Sequence, residues 1–227
     1  MRDCYNQITS FYGASIVYAV VSADRISIPP GSVLRIPGSW QDFCQLRDSR
    51  GDGSIPRLRY RHGELLLMSP LPRHGREANI IADIVKTLLE SQDRNYEAFT
   101  PITMELPDVG GIEPDYCFYI DNWQAAVGKD RIDWQVDLPP DVAIEIDVTS
   151  FTSELDFLPF KVPEVWLFKK YQLKIYQLVT GKYEVSQASR YFPNIIIQET
   201  IDSCFTTAQA KGTGVAISEL RRSLPKA

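Results

Sequence analysis

The chain has 227 residues and a formal net charge of −5, from 24 Lys and Arg against 29 Asp and Glu. A hydrophobic fraction of 44% with 11% aromatic residues excludes a disordered chain and provides for a packed core. The acidic balance excludes a global basic footprint for nucleic acid, though not a local basic groove.

Residues 1–27 read as an N-terminal extension whose pattern defines no element. Within it, "GASIVYAVVSA" (13–23) is apolar. It is shorter than the roughly 20 residues a membrane span needs. It also lacks the positive n-region of a signal peptide, since Asp3 balances Arg2. The expectation is a cytoplasmic protein with no membrane partner, folded as a single domain over 28–227.

"IPPGSVLRIPGS" (28–39) is rich in Pro and Gly and reads as a loop. Ser39 offers an N-cap for a short helix in "SWQDFCQLRD". "IPRLRYRHGELLLMSP" (55–70) reads as two strands joined at His62-Gly63. Ile81, Ile84, Val85, Leu88 and Leu89 repeat at helical spacing, which predicts a helix over about 74–91. "YEAFTPITMEL" (96–106) is strand-like but interrupted by Pro101, and "DYCFYI" (115–120) is a strand entered from Glu113-Pro114.

"VAIEIDV" (142–148) is a further strand, with Val142, Ile144, Ile146 and Val148 on one face and Ala143, Glu145 and Asp147 on the other. After a short segment (151–161), "VPEVWLFKK", "YQLKIYQLV" and "GKYEVSQ" read as strands, the last two joined at Thr180-Gly181. A helix over about 214–224 closes the chain. The order predicts a mixed α/β fold, a central sheet flanked by helices.

Four scattered cysteines, Cys4, Cys44, Cys117 and Cys204, give no metal-ligand spacing and read as reduced thiols. Two histidines argue against a multi-histidine zinc site. The informative groups are carboxylates. Asp115 opens one apolar strand, and Glu145 and Asp147 sit at i, i+2 on another. If the strands are neighbours, three oxygen donors converge, a set that suits Mg²⁺ or Mn²⁺. The bland alternative is a turn aspartate and a solvated sheet face. Arg57, Arg59 and Arg61 alternate on one strand; with Arg73 and Arg76 they form either a phosphate track or a solvated face. His74 is either a phosphate contact or an ordinary helix-start residue. Trp134 and Trp166 read as core anchors.

"RYRHGELLLMSPLPRH", "GIEPDYCFYI", "GKDRIDWQVDLPPDVAIEIDVTS" and "VPEVWLFKKYQLKIYQLVTGKYEVS", in that order, resemble the Uma-two family. This is a largely cyanobacterial set of restriction-endonuclease-like proteins. The resemblance runs from about residue 28 to about 210. It implies the P-D…(D/E)-x-K nuclease fold with metal-binding acids on adjacent strands, DNA as partner and Mg²⁺ or Mn²⁺ as cofactor. A homodimer is a further expectation, since related nuclease folds often dimerise.

Pro114-Asp115 matches the family's Pro-Asp, and Glu145 its second acid. Asp147 stands where the general motif has lysine, as a third ligand or a supporting group. Relatives place a lysine shortly after Thr149-Ser150. Here Phe151 and Phe157 stand at or near places where the resemblance implies a lysine or a tyrosine, and Lys161 stands where glycine is usual. Lys161 is thus the substitute charge stabiliser this reading offers, beside Asp115 and Glu145 as catalytic acids. His74, Arg73 and Arg76 are the expected nucleic-acid contacts. Two readings remain: an active metal-dependent endonuclease, or a member that keeps the fold as a binding or assembly module.

Overall fold

The computed structural model describes residues 28–51, 53, 55–147 and 152–225. The apolar 13–23 stretch and the end of the 142–148 strand lie outside them. The expected mixed α/β architecture holds, but the strands form two sheets rather than one. The first contains β1 (Val33–Pro37), β2 (Arg57–Arg61), β3 (Glu64–Met68), β5 (Met104–Leu106) and β6 (Gly110–Ile112), in the order β1-β3-β2-β6-β5. The second contains β4 (Glu97–Phe99), β7 (Tyr116–Tyr119), β8 (Val142–Ile146), β9 (Glu164–Lys169), β10 (Gln172–Val179) and β11 (Lys182–Ser186), in the order β11-β10-β9-β8-β7-β4. Pro101 divides the 96–106 stretch as its sequence suggested, and the halves join different sheets. β1 falls in the segment read as a loop; it pairs antiparallel with β3 at the sheet edge, where proline is tolerated.

β8 and β9 are the parallel pair of the second sheet; its other pairings are antiparallel. A parallel pair needs a crossover. Here it contains a 3₁₀ segment, Glu154–Phe160, opened by a capping box between Ser153 and Asp156.

The helix α2 (Pro72–Ser91) starts with proline in its first turn, where no N–H is needed. Ile81, Ile84, Val85, Leu88 and Leu89 are fully buried against Phe118, Val142, Ile144 and Ile146. α3 (Ile197–Lys211) and α4 (Thr213–Ser223) complete this layer. On the opposite face of the second sheet, Cys117, Ala143, Val165 and Leu167 pack with Phe157 and Phe160 of the crossover. α1 (Trp40–Arg50) covers the first sheet through Phe43 and Leu46. Its N-cap is Ser39, as the sequence suggested. Trp166 is buried and donates to Glu164 Oε1 at 2.6 Å; Trp134 donates to the Thr103 carbonyl at 2.8 Å and packs on Phe160. Both are anchors.

Candidate active site

The β7–β8 register pairs Tyr116 with Ile144 and Cys117 with Ala143. One step further sets Asp115 opposite Glu145, and cross-strand partners share a face. The Ile146 N–H donates to Asp115 Oδ2 at 2.7 Å. Asp115 Oδ1 lies 2.7 Å from His74 Nε2 and 2.6 Å from Arg57 Nη1. Glu145 Oε1 accepts from Arg59 Nη2 and from Thr152 Oγ1, both at 2.9 Å. Among the described residues, Glu145 Oε2 is buried with no hydrogen-bond partner. Glu145 lines a small cavity of about 40 Å³ together with Arg57, Arg59, Glu113, Asp147 and Thr152.

The electrostatics follow from these contacts. For Asp115, burial favours the neutral acid. The His74 hydrogen bond and the Arg57 charge outweigh it and hold the carboxyl below the usual range. For His74, burial favours neutral imidazole, but the hydrogen bond and charge of Asp115 raise its pKa. Burial dominates at Glu145, whose pKa is pushed up to about 7 against the opposing charge of Arg59.

The three alternating arginines of β2 do share one face, but it is neither a phosphate track nor a solvated surface. Each faces a carboxylate: Arg57 meets Asp115, Arg59 meets Glu145 and Asp156, and Arg61 meets Asp156 at 2.7 Å. The two sheets are therefore joined across the site by ion pairs. Glu113, which the sequence reading passed over, is a structural clamp. It takes both Arg50 terminal nitrogens, the Leu58 N–H at 2.9 Å and the Thr103 hydroxyl at 2.9 Å.

Other expected residues sit differently. Asp147 is buried, and Lys169 Nζ lies 3.5 Å from its Oδ2. Among the described residues, no three His, Cys, Asp or Glu side chains gather as a metal cage. Lys161 is exposed at the C-cap of the 3₁₀ segment, with φ 55° and ψ 35°. That left-handed conformation is one that favours glycine, the residue the resemblance implies at this position. The β8–β9 register pairs Val142 with Glu164 and Glu145 with Leu167. Lys161 precedes Glu164, so it stands on the order of 15–20 Å along the strands from Glu145. Lys169, at the same level as Asp147 on β9, is the lysine beside the acids. Phe157, one of the two phenylalanines the sequence reading set near the places of an expected lysine or tyrosine, is fully buried in the core.

His74 is also buried and faces Asp115. Arg73 and Arg76 are exposed at the start of α2. Arg73 donates to Glu77 Oε1 at 2.6 Å and stands 4.8 Å over the Tyr171 ring.

The family model Uma2, described as "Putative restriction endonuclease", matches residues 40–208. None of the curated proteins matches. Among solved structures, one similar chain is described as a "putative nuclease belonging to DUF820" from Anabaena variabilis. It is 18% identical with a TM-score of 0.45, over 67% of this chain and 87% of that one.

Proposed function

We propose, on the premise that this chain belongs to the Uma2 family of restriction-endonuclease-like proteins, that it acts on nucleic-acid phosphodiesters with Asp115 and Glu145 as its acidic pair. The observation that carries this reading is the buried Glu145 oxygen without a partner among the described residues, on a residue that lines the cavity and stands across the strands from Asp115. A carboxylate offers about four acceptor sites. Two on Glu145 and three on Asp115 are taken, all by groups already named. What remains is Glu145 Oε2 and one site on Asp115 Oδ2.

Those oxygens fit a hard divalent cation, which is commonly held by one or two carboxylates plus a substrate phosphate. Such an ion would polarise a phosphodiester oxygen and lower the pKa of a bound water. The chain's own residues set the frame. His74 and the Ile146 N–H fix the orientation of Asp115, and Arg59 and Thr152 fix that of Glu145. Lys169 supplies positive charge beside Asp147.

A second reading, a member without hydrolysis, is favoured by Arg57 and Arg59. They already place cationic charge on both acids. Calorimetric titration with Mn²⁺ and a plasmid-nicking assay separate the two. Mn²⁺-dependent nicking lost in both Asp115→Asn and Glu145→Gln supports the nuclease. Mn²⁺ binding without nicking supports the second reading. Nicking that survives both substitutions removes these acids from the chemistry.

A further inference from the structure

We propose that the turn joining β9 to β10 is a nucleobase-stacking element, in which Tyr171, backed by Arg73, takes a base of an unpaired nucleic-acid strand. This rests on the nuclease reading above and narrows its substrate to strands with at least one base out of the duplex stack.

The first observation is backbone strain. Lys170 (φ 49°) and Tyr171 (φ 65°) form a two-residue turn between Lys169 and Gln172, which pair with each other. Such turns match the twist of the flanking strands but need positive φ at both positions, which favours Asn-Gly. The turns between β2 and β3 and between β10 and β11 obey this rule. They use His62-Gly63 and Thr180-Gly181, with glycine second. The β9–β10 turn places a bulky aromatic residue there instead. A bulky residue in this region is a conformational outlier, and such outliers concentrate at functional sites.

The second observation is what the strain presents. Tyr171 stays 54% exposed. Phe168 and Phe205 meet its ring nearly at right angles, at 88° and 85°, so they support it edgewise. The Arg73 guanidinium covers part of one face at 4.8 Å, and Glu77 holds that guanidinium in place.

The third observation is location. Lys169, one residue before the turn, meets Asp147, and Arg73 is the sequence neighbour of His74, which holds Asp115. Lys174 is exposed on the same row of the sheet as Glu145, through Leu167. Lys169 and Lys174 thus lie on the face of the sheet that carries Glu145, and the Tyr171 ring packs with Phe168, Phe205 and Arg73 on the helix side of the same strand end. An aromatic face set among cations is the pattern that binds single strands, by stacking and backbone attraction together. Paired bases inside a duplex cannot offer a face to it unless one is flipped out.

The test measures binding by fluorescence anisotropy in EDTA, where metal-dependent cleavage is blocked. The probes are a labelled single-stranded DNA and the same strand with abasic spacers. The proteins are wild type, Tyr171→Phe and Tyr171→Gly. The glycine variant keeps Lys170 and places glycine second in the turn, as in Thr180-Gly181, and its thermal midpoint separates lost binding from lost folding. Expected are an affinity loss of about tenfold on the normal strand, little change on the abasic strand, and retention by Tyr171→Phe. Equal binding of the normal strand by wild type and Tyr171→Gly overturns the stacking element. Equal binding of normal and abasic strands by wild type does the same. Both results leave phosphate recognition and the nuclease reading standing. Wild type binding neither strand overturns the stacking element, and the nuclease reading is then decided by Mn²⁺-dependent plasmid nicking.

Discussion

Arg59 holds Glu145 by one carboxylate oxygen, Oε1, at 2.9 Å, and leaves the other, Oε2, buried and unpartnered among the described residues. Removing the guanidinium strands a buried carboxylate, a change that typically costs about 3–5 kcal/mol. Arg59→Met should therefore lower the thermal midpoint strongly. Millimolar Mn²⁺ should recover more of that loss than it adds to wild type, because the ion replaces the missing charge. Thermal melts with and without Mn²⁺ check this; equal Mn²⁺ shifts in both proteins would count against a cation at Glu145.

The position of the assisting lysine gives a second prediction. Lys169 sits beside Asp147, whereas Lys161 is exposed at the far end of the strands. If wild type nicks DNA, Lys169→Ala should slow it by about 10²–10³, the usual loss for one preorganised charge stabiliser. Lys161→Ala should leave the rate unchanged. Single-turnover rates decide, and the reverse ranking would reinstate Lys161.

The core of α2 gives a third. Leu88 is fully buried among Phe118, Ile144 and the other residues of that layer. Leu88→Ala should cost roughly 2–5 kcal/mol, from lost transfer energy plus a cavity. Urea denaturation measures it, and a change within about 0.5 kcal/mol would mark an exposed position.

A fourth concerns alkaline pH. Burial pushes the phenols of Tyr119, Tyr183 and Tyr191 above the ordinary value of 10.0. The folded chain holds these protons after the unfolded chain has begun to release them. Their contribution is therefore constant below about pH 10 and lost progressively above it. Unfolding followed by circular dichroism should coincide with tyrosinate absorbance from these residues. Their ionisation well before unfolding would contradict the burial.

Much of this was legible in the sequence. The spacing of Ile81, Ile84, Val85, Leu88 and Leu89 gave α2 and its buried face. Alternation in "VAIEIDV" put Glu145 and Asp147 on one side and the apolar residues on the other. Alternation also put Arg57, Arg59 and Arg61 on a common face, but periodicity says which residues share a face, not what that face meets. Their carboxylate partners lie 58 to 97 residues further on, and only tertiary register brings them together. Lys169 was missed for the same reason: it neighbours Asp147 through the parallel β8–β9 pairing, not through the chain. α3 was missed although Ile197, Ile201 and Cys204 do recur at helical spacing; its threonines and serine obscured the signal.

The ion pairs that join the two sheets have a consequence for how ligands enter. Arg57 and Arg59 act as internal counter-ions for Asp115 and Glu145. A cation arriving alone would crowd them with like charge. A polyanion that drew them away alone would strand two carboxylates. Arriving together, the two ligands exchange partners with the site and leave no charge unmatched, which makes their binding free energies interdependent and the coupling reciprocal. The affinity for Mn²⁺ should accordingly rise when an oligonucleotide is present, and that for the oligonucleotide should rise by the same factor with Mn²⁺. Paired titrations read both sides of that exchange, and two independent affinities would show that the arginines stay where they are.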